Sequence, residues 1–334
     1  MDAPLDLIII GAGPAGIAVG RAARRAGLRF LILEKGAICN TIFHFPERMT
    51  FFSTADLLEF PDAPMVISGD KPNRHEVMSY FTKIALKEEM PVSTFEAVSS
   101  IRRVDDHFEV QTSKRCLAAG AVVLATGSYD CPNLLHVPGE DLPNVSHYYH
   151  SSQPYIGKRV MIIGGRNSAV ETALDLYRQG AQVTVVHRGA FDYGASLDES
   201  GIKYWLLPDF LNRLKEEKIA HFWNSSVLRI EPERVLLRTS KGERWVDNDF
   251  VLALIGYHPD YALLERAGVE FGGAAQAPAS DPATLETNVP GLYVAGVVTG
   301  GKDHRKVFIE NSRRHGELII AHVRQRLLAA HAQM

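Results

Sequence analysis

The chemistry of this chain has to come from a small set of side chains, and its thiols come first. Cys39, Cys116 and Cys131 are odd in number, widely spaced and form no CxxC. Neither a disulfide framework nor a zinc site is indicated, and reduced thiols packed as small apolar residues are expected, with no metal site. The run His147-Tyr148-Tyr149-His150 supplies the other proton-active groups. An imidazole titrates near neutrality, so His147, with Tyr148 beside it, is a candidate proton donor. The alternative is a hinge in which His147 and Tyr148 only make hydrogen bonds across a domain interface.

Two glycine-rich turns carry the clearer signal. The apolar run Leu5 to Ile10 ends at Gly11-Ala12-Gly13-Pro14-Ala15-Gly16 and is followed by residues of helical spacing up to Gly27. Gly11 permits the tight turn, Gly13 lets a pyrophosphate reach the backbone, and Gly16 lets helix and strand pack closely, while the helix N-terminus offers amides and partial positive charge to phosphate. The next strand ends at Glu34, with Lys35 after it. A carboxylate there accepts hydrogen bonds from ribose hydroxyls and repels a 2′-phosphate. A second copy starts at Lys158, with the turn Gly164-Gly165-Arg166-Asn167-Ser168-Ala169, in which Ala169 replaces the third glycine. Its second strand ends at His187-Arg188 instead of an acid. A guanidinium suits a 2′-phosphate, which it grips in a bidentate, charge-assisted way, and Arg166 is a second candidate clamp; the bland alternative is an arginine ending a strand at the surface. Two dinucleotides are therefore expected, FAD on the first unit and NADPH on the second, with hydride transfer as the cofactors' chemistry.

These turns need a scaffold of matching size. At 334 residues, with nearly half of them apolar and a formal net charge of -3, the chain suits two globular domains and gives no reason to expect a nucleic-acid partner. No apolar run reaches the roughly 18 residues of a membrane helix, and LDLIII has no charged leader, so a cytoplasmic protein is expected. Residues 121 to 130 and 249 to 260 each read as an apolar strand running into a glycine turn, at Ala125-Thr126-Gly127 and at Gly256. A late strand, LYVAG, leads to Gly296 and Val297. Apolar periodicity at Val307, Phe308, Ile319, Ile320, Val323 and Leu327 then predicts a helix over this stretch, with Phe308 and Ile309 as candidate cofactor contacts. Glu171, just inside the second unit's helix, either orients a nicotinamide amide or serves as a first-turn acid. Phe51, Phe52 and Ser53 are either core or a wall for the flavin ring.

In its order of glycine turns the chain resembles the flavoprotein reductases that include the low-molecular-weight thioredoxin reductases. The resemblance implies an α/β fold of two Rossmann-like dinucleotide-binding domains, an FAD domain of residues 1–150 and 257–334 interrupted by an inserted NADPH domain of residues 151–256. It also implies a final helix aimed at the flavin carbonyls, and a homo-oligomer. The stretches TFFSTADLLEF, VPGEDLPNVSHYY, IIGGRNSAVETAL, LIGYHPD, ETNVPGLYVAGV and FIENSRRHG resemble more closely the bacillithiol disulfide reductase family, across nearly the whole chain. Counting back from Gly164 puts the dithiol of a thioredoxin reductase on His147 to His150, so no protein dithiol is available. Many members of the narrower family carry a cysteine in the first glycine turn, where this chain has Ala15. Val297 stands where most relatives place an acid near the ribityl chain. Cys39 is a further candidate thiol near the flavin.

The expected activity is NADPH-dependent, FAD-mediated reduction of a small disulfide, bacillithiol disulfide. His304, Arg305, Lys306, Arg313 and Arg314 form either a cationic mouth for its carboxylates or a solvated helix face. The alternatives are a ferredoxin- or flavodoxin-NADP reductase, a flavin monooxygenase, whose group-specific stretch is not met around Leu142 to His150, and a non-catalytic flavoprotein sensor.

Overall fold

The computed structural model describes residues 4–191, 202–303 and 307–332; His304, Arg305 and Lys306 lie outside the described residues. The chain forms two compact units, one of residues 1–44, 50–131 and 257–334, the other of residues 45–49 and 132–256.

In the first unit the run Leu5–Ile10 becomes β1, flanked by parallel strands β2 (Phe30–Leu33) and, beyond it, β3 (Val92–Ser93). β4 (Val98–Val104) and β5 (His107–Thr112) form an antiparallel ribbon that joins β6 (Cys116–Leu124), and β6 pairs parallel with β1. Ile8, Ile10, Leu33, Val122 and Leu124 are buried in one core with Phe108 and Val110. Parallel strands covered on both faces have to be apolar throughout, and the unbroken runs reflect that. Helix α1 (Pro14–Arg25) follows β1, with Pro14 in its first turn, where a missing N–H costs nothing, and Gly27 just past its end at φ +70°.

The second unit repeats the pattern. β7 (Val145–Ser146), β8 (Arg159–Ile163), β9 (Gln182–Val186), β10 (Ala220–Phe222) and β14 (Phe250–Ala253) form a parallel sheet in the order β10-β9-β8-β14-β7, and α2 (Asn167–Arg178) follows β8. Side chains of β8 alternate between faces. Val160 and Ile162 pack with Val170, Ala173 and Leu174 of α2. Met161 and Ile163 pack with Val227, Val235 and Leu237, which belong to an antiparallel sheet of β11 (Ser226–Glu231), β12 (Arg234–Thr239) and β13 (Gly242–Asp247). The segment 132–150, HYYH included, clusters with this unit.

The chain returns to the first unit at Tyr257, and β15 (Leu292–Val294) pairs parallel with β6. The long C-terminal helix expected from periodicity is two helices, α3 (Ile309–Ser312) and α4 (His315–Ala332). Between them Arg313 donates to the carbonyls of Asp56 and Glu59. α4 starts hard against α1, since a Cβ on Gly316 would lie 2.4 Å from the Ala18 carbonyl oxygen. No helix among the described residues is long and apolar enough to cross a membrane.

Candidate functional site

Register brings the first unit's candidate residues to one sheet edge. Ile10 is paired with Leu33 and with Leu124, and Leu124 with Val294, so Gly11, Glu34, Ala125 to Gly127 and Gly296 all emerge from strand ends that lie side by side. Ligands of open α/β sheets bind outside such carboxyl ends.

The three fingerprint glycines are glycine for different reasons. A Cβ on Gly11, at φ +107°, would lie 2.4 Å from the Ala125 carbonyl oxygen, and one on Gly16 would lie 1.9 Å from the Gly11 carbonyl oxygen. Both are excluded by the chain's own backbone. A Cβ on Gly13 would meet nothing within 4 Å, so only a group from outside the chain needs that position bare. Gly13 caps α1 without any side-chain cap, leaving the first amides for an anion. Glu34, 7% exposed, accepts from the Ala12 amide and from the Gly36 amide at 2.8 Å each. Lys35 is paired with Asp130 at 2.7 Å. The Thr126 hydroxyl is buried and finds no hydrogen-bond partner among the described residues; a buried orphan of this kind calls for an outside partner. The bare Gly13, the orphan Thr126 and the buried acid fit an FAD with its pyrophosphate at α1.

Around this edge, Ala15 abuts the late glycine loop: a Cβ on Gly296 would lie 2.7 Å from that of Ala15. Val297 follows, half-buried. The Gly296 amide donates to His315 Nδ1 at 3.1 Å, and burial holds the imidazole below its usual range, in the neutral form that can accept. No sequence signal marked His315. Phe51 and Ser53 are buried, whereas Phe52 is 57% exposed with the Lys71 ammonium 5.1 Å from its ring centroid. Phe308 is exposed and Ile309 opens only the four-residue α3.

In the second unit Ile163 pairs with Val186 and with Ala253, which gathers Gly164, His187 and the Leu254 to Gly256 turn. A Cβ on Gly164 would meet the Leu254 carbonyl oxygen at 2.5 Å and the Ala169 methyl at 3.1 Å; a methyl at position 169 is thus accommodated. Gly256, at φ +96°, sits in a turn held by Asn133, whose Nδ2 donates to the Ile255 carbonyl at 3.1 Å. Arg166 and Arg188 are exposed and make no ion pair among the described residues. Both lie close enough to His187 to depress its basicity: burial first, then Arg188 and Arg166, hold that imidazole below its usual range. Three cation-forming side chains converging on one turn, with no acid among them, fit the 2′-phosphate of NADPH. Ser168 is exposed at the start of α2. Glu171 forms a 2.7 Å ion pair with Lys203, whose amide also donates to Asn167 Oδ1 at 2.6 Å. Lys203 lies 32 residues from Glu171, and nothing in the sequence linked them.

HYYH belongs to this unit's own packing. His147 Nε2 lies 3.5 Å from Glu140 Oε1, its Nδ1 is buried without a partner among the described residues, and Glu140 also accepts from the Leu135 and His136 amides at 2.5 and 2.7 Å. Tyr148 donates its amide to Ser146 Oγ at 3.1 Å. Tyr149 is buried, with its hydroxyl on Asp175, and burial pushes its phenol up.

All three cysteines are free thiols. Cys39 is fully buried, and burial, with Glu34 nearby, pushes its thiol far above the range in which a thiolate forms. Cys131 is half-buried and also raised, by burial and then by Asp260 and Asp130, with Lys35 opposing. Cys116 is exposed.

A family model described as pyridine nucleotide-disulphide oxidoreductase matches residues 8–296. The chain is 38% identical over 321 residues to the bacilliredoxin reductase Bdr of Bacillus subtilis (strain 168), covering 96% of this chain and 97% of that one. It is similar to the solved bacillithiol disulfide reductase Bdr of Staphylococcus aureus, with 36% identity, TM-score 0.91 and coverage of 98% and 99%. With the Bacillus cereus enzyme of the same name the values are 34%, 0.92, 97% and 100%.

Proposed function

The chain belongs to the bacillithiol disulfide reductase family of pyridine nucleotide-disulphide oxidoreductases, and from that premise we propose that it reduces bacillithiol disulfide without using a protein thiol. It is an FAD- and NADPH-dependent disulfide reductase. The carrying observation is the state of its cysteines: Ala15 stands in the first glycine turn, Cys39 is buried and held protonated, and no two thiols pair. When bound, FAD relays two electrons from NADPH, so that NADPH, one proton and one disulfide yield NADP⁺ and two thiols.

The chain's own part is binding and placement. Gly13 and the α1 amides would hold the FAD pyrophosphate and Glu34 the ribose; Arg166 and Arg188 would hold the 2′-phosphate of NADPH. His147 is assigned to positioning, since its Nε2 faces Glu140; the departing thiolate takes its proton from water. The name of the B. subtilis relative favours a second acceptor, a bacilliredoxin.

The test is anaerobic stopped-flow. NADPH should bleach the flavin, and bacillithiol disulfide should restore its colour with two thiols released per NADPH. Reoxidation by oxidised bacilliredoxin alone would move the assignment to the protein acceptor. Reoxidation only by ferredoxin, one electron at a time, would overturn it.

A further inference from the structure

The helices that open the two nucleotide-binding units differ by one charge near the end at which a pyrophosphate binds. α1 carries no acid, whereas the fifth residue of α2 is Glu171, where α1 has Ala18. A helical side chain leans towards the N-terminus of its helix, so this carboxylate lies over the face that holds Asn167 one turn earlier. Arg166 caps α2 with no side-chain cap bond, which leaves the first amides open to an anion. Lys203 grips this face at both levels. Its amide donates to Asn167 Oδ1 at 2.6 Å, and its Nζ lies 2.7 Å from Glu171 Oε2. The lysine is 5% exposed, and the nearby Ile202 and Leu206 are packed in one core with Val170 and Leu174 of α2. A buried ion pair is weak evidence for stability, because desolvation offsets its attraction. What the pair does to the charge of the helix end is the larger effect.

We propose that Lys203 is a positioning residue of the NADPH site: by pairing with Glu171 it keeps the N-terminus of α2 positive for the dinucleotide's pyrophosphate. The inference rests on the NADPH reading above. The N-terminus of a helix carries about half a positive charge. A full negative charge in the second turn, left alone, would more than cancel it and make this end of α2 repel phosphate. With the ammonium at 2.7 Å the pair is neutral as a whole, and the partial charge of the amides remains. The two side chains are only 6% and 20% exposed, so water and salt cannot do the same screening. Lys203 acts through Glu171, and the pyrophosphate is common to both dinucleotides. Its loss therefore weakens NADP⁺ and NAD⁺ alike, in contrast to the loss of Arg188, which bears on the 2′-phosphate.

The test is calorimetric binding of NADP⁺ and NAD⁺ to the FAD-loaded protein, with no turnover. Lys203→Met should weaken both by roughly tenfold, the worth of one uncompensated charge at a partly buried site, and leave their ratio unchanged. Adding Glu171→Gln should return both to within about threefold of wild type, because the pair is then neutral again. Glu171→Gln alone, which leaves the ammonium in excess, should tighten both by about threefold or more. A loss confined to NADP⁺ would make Lys203 a 2′-phosphate ligand and overturn the inference. A double variant as weak as Lys203→Met would overturn it too, since a merely structural lysine is not rescued by removing the acid. So would a Glu171→Gln that binds the dinucleotides no better than wild type, and the double variant and Glu171→Gln carry the test where Lys203→Met does not load FAD. Failure of the wild type itself to bind NADP⁺ would reject the NADPH reading and the inference with it.

Discussion

Gly13→Ala separates cofactor binding from folding. Gly13 sits at φ -78° and ψ -179° as the cap of α1, a conformation that alanine adopts without strain. Its Cβ would meet no protein atom within 4 Å. Two small terms then act on the apoprotein: a less favourable cap costs about 0.5–1 kcal/mol, and a stiffer unfolded chain returns about 0.4–1 kcal/mol. The apo Tm should stay within a few degrees of wild type. In the holoprotein the methyl would stand between the α1 amides and the pyrophosphate. Losing one charge-assisted hydrogen bond costs about 1.5–3 kcal/mol, or roughly 10- to 150-fold in the FAD Kd. Gly16→Ala drives a methyl to 1.9 Å from the Gly11 carbonyl oxygen and should destabilise the apoprotein itself. The assay is apo Tm by circular dichroism beside FAD affinity by fluorescence quenching. If Gly13→Ala keeps wild-type FAD affinity, or loses apo stability as Gly16→Ala does, the assignment of this turn to pyrophosphate is refuted.

Other outcomes follow from the same geometry. Arg188→Ala should raise the KM for NADPH by roughly 10- to 100-fold, the worth of a charge-assisted phosphate contact, and leave that for NADH nearly unchanged; equal effects would remove the 2′-phosphate assignment. His147→Asn should lower Tm while changing kcat by less than about threefold, since a removed general acid costs about 100-fold or more. Glu96 is 1% exposed; burial pushes its carboxyl up, but hydrogen bonds from Arg115, Ser93 and Thr112 outweigh this and hold it at about 2. Its folded-state pKa is depressed, so its stabilisation is present above the unfolded value of about 4.3 and is lost as pH falls towards 2, a contribution of about 2–3 kcal/mol. Urea titrations from pH 6 to 2.5 should show that acid-induced loss reduced in Glu96→Gln.

Both β-turn-α-β units were legible because their information is local. Apolar runs such as Leu5 to Ile10 and Val160 to Ile163 are fixed by burial on both faces, and Gly11, Gly16 and Gly164 by backbone approaches within a few residues of the turn or at the neighbouring strand's end. What stayed hidden depends on partners far apart in sequence. His187 on Gly165, Lys203 on Glu171 and His315 on Gly296 join residues 22, 32 and 19 positions apart, and no periodicity relates them. The C-terminal break was invisible for a similar reason. No apolar residue lies between Ile309 and Leu318, and the helix breaks within that stretch, where Arg313 donates to the Asp56 and Glu59 carbonyls 257 and 254 positions away. HYYH read as the site of a missing dithiol; that His147 would turn to Glu140 required the fold of the 132–150 segment.

The most direct test of disulfide reduction without a protein thiol removes every thiol. Cys39→Ala, Cys116→Ser and Cys131→Ser, combined in one FAD-loaded protein, should reduce bacillithiol disulfide with NADPH at a rate within about threefold of wild type, releasing two thiols per NADPH, because no cysteine takes part in the bond exchange. A flavin-replete triple variant that NADPH still bleaches, but that no longer releases thiol, would contradict the proposal and return one of the three cysteines to the reaction.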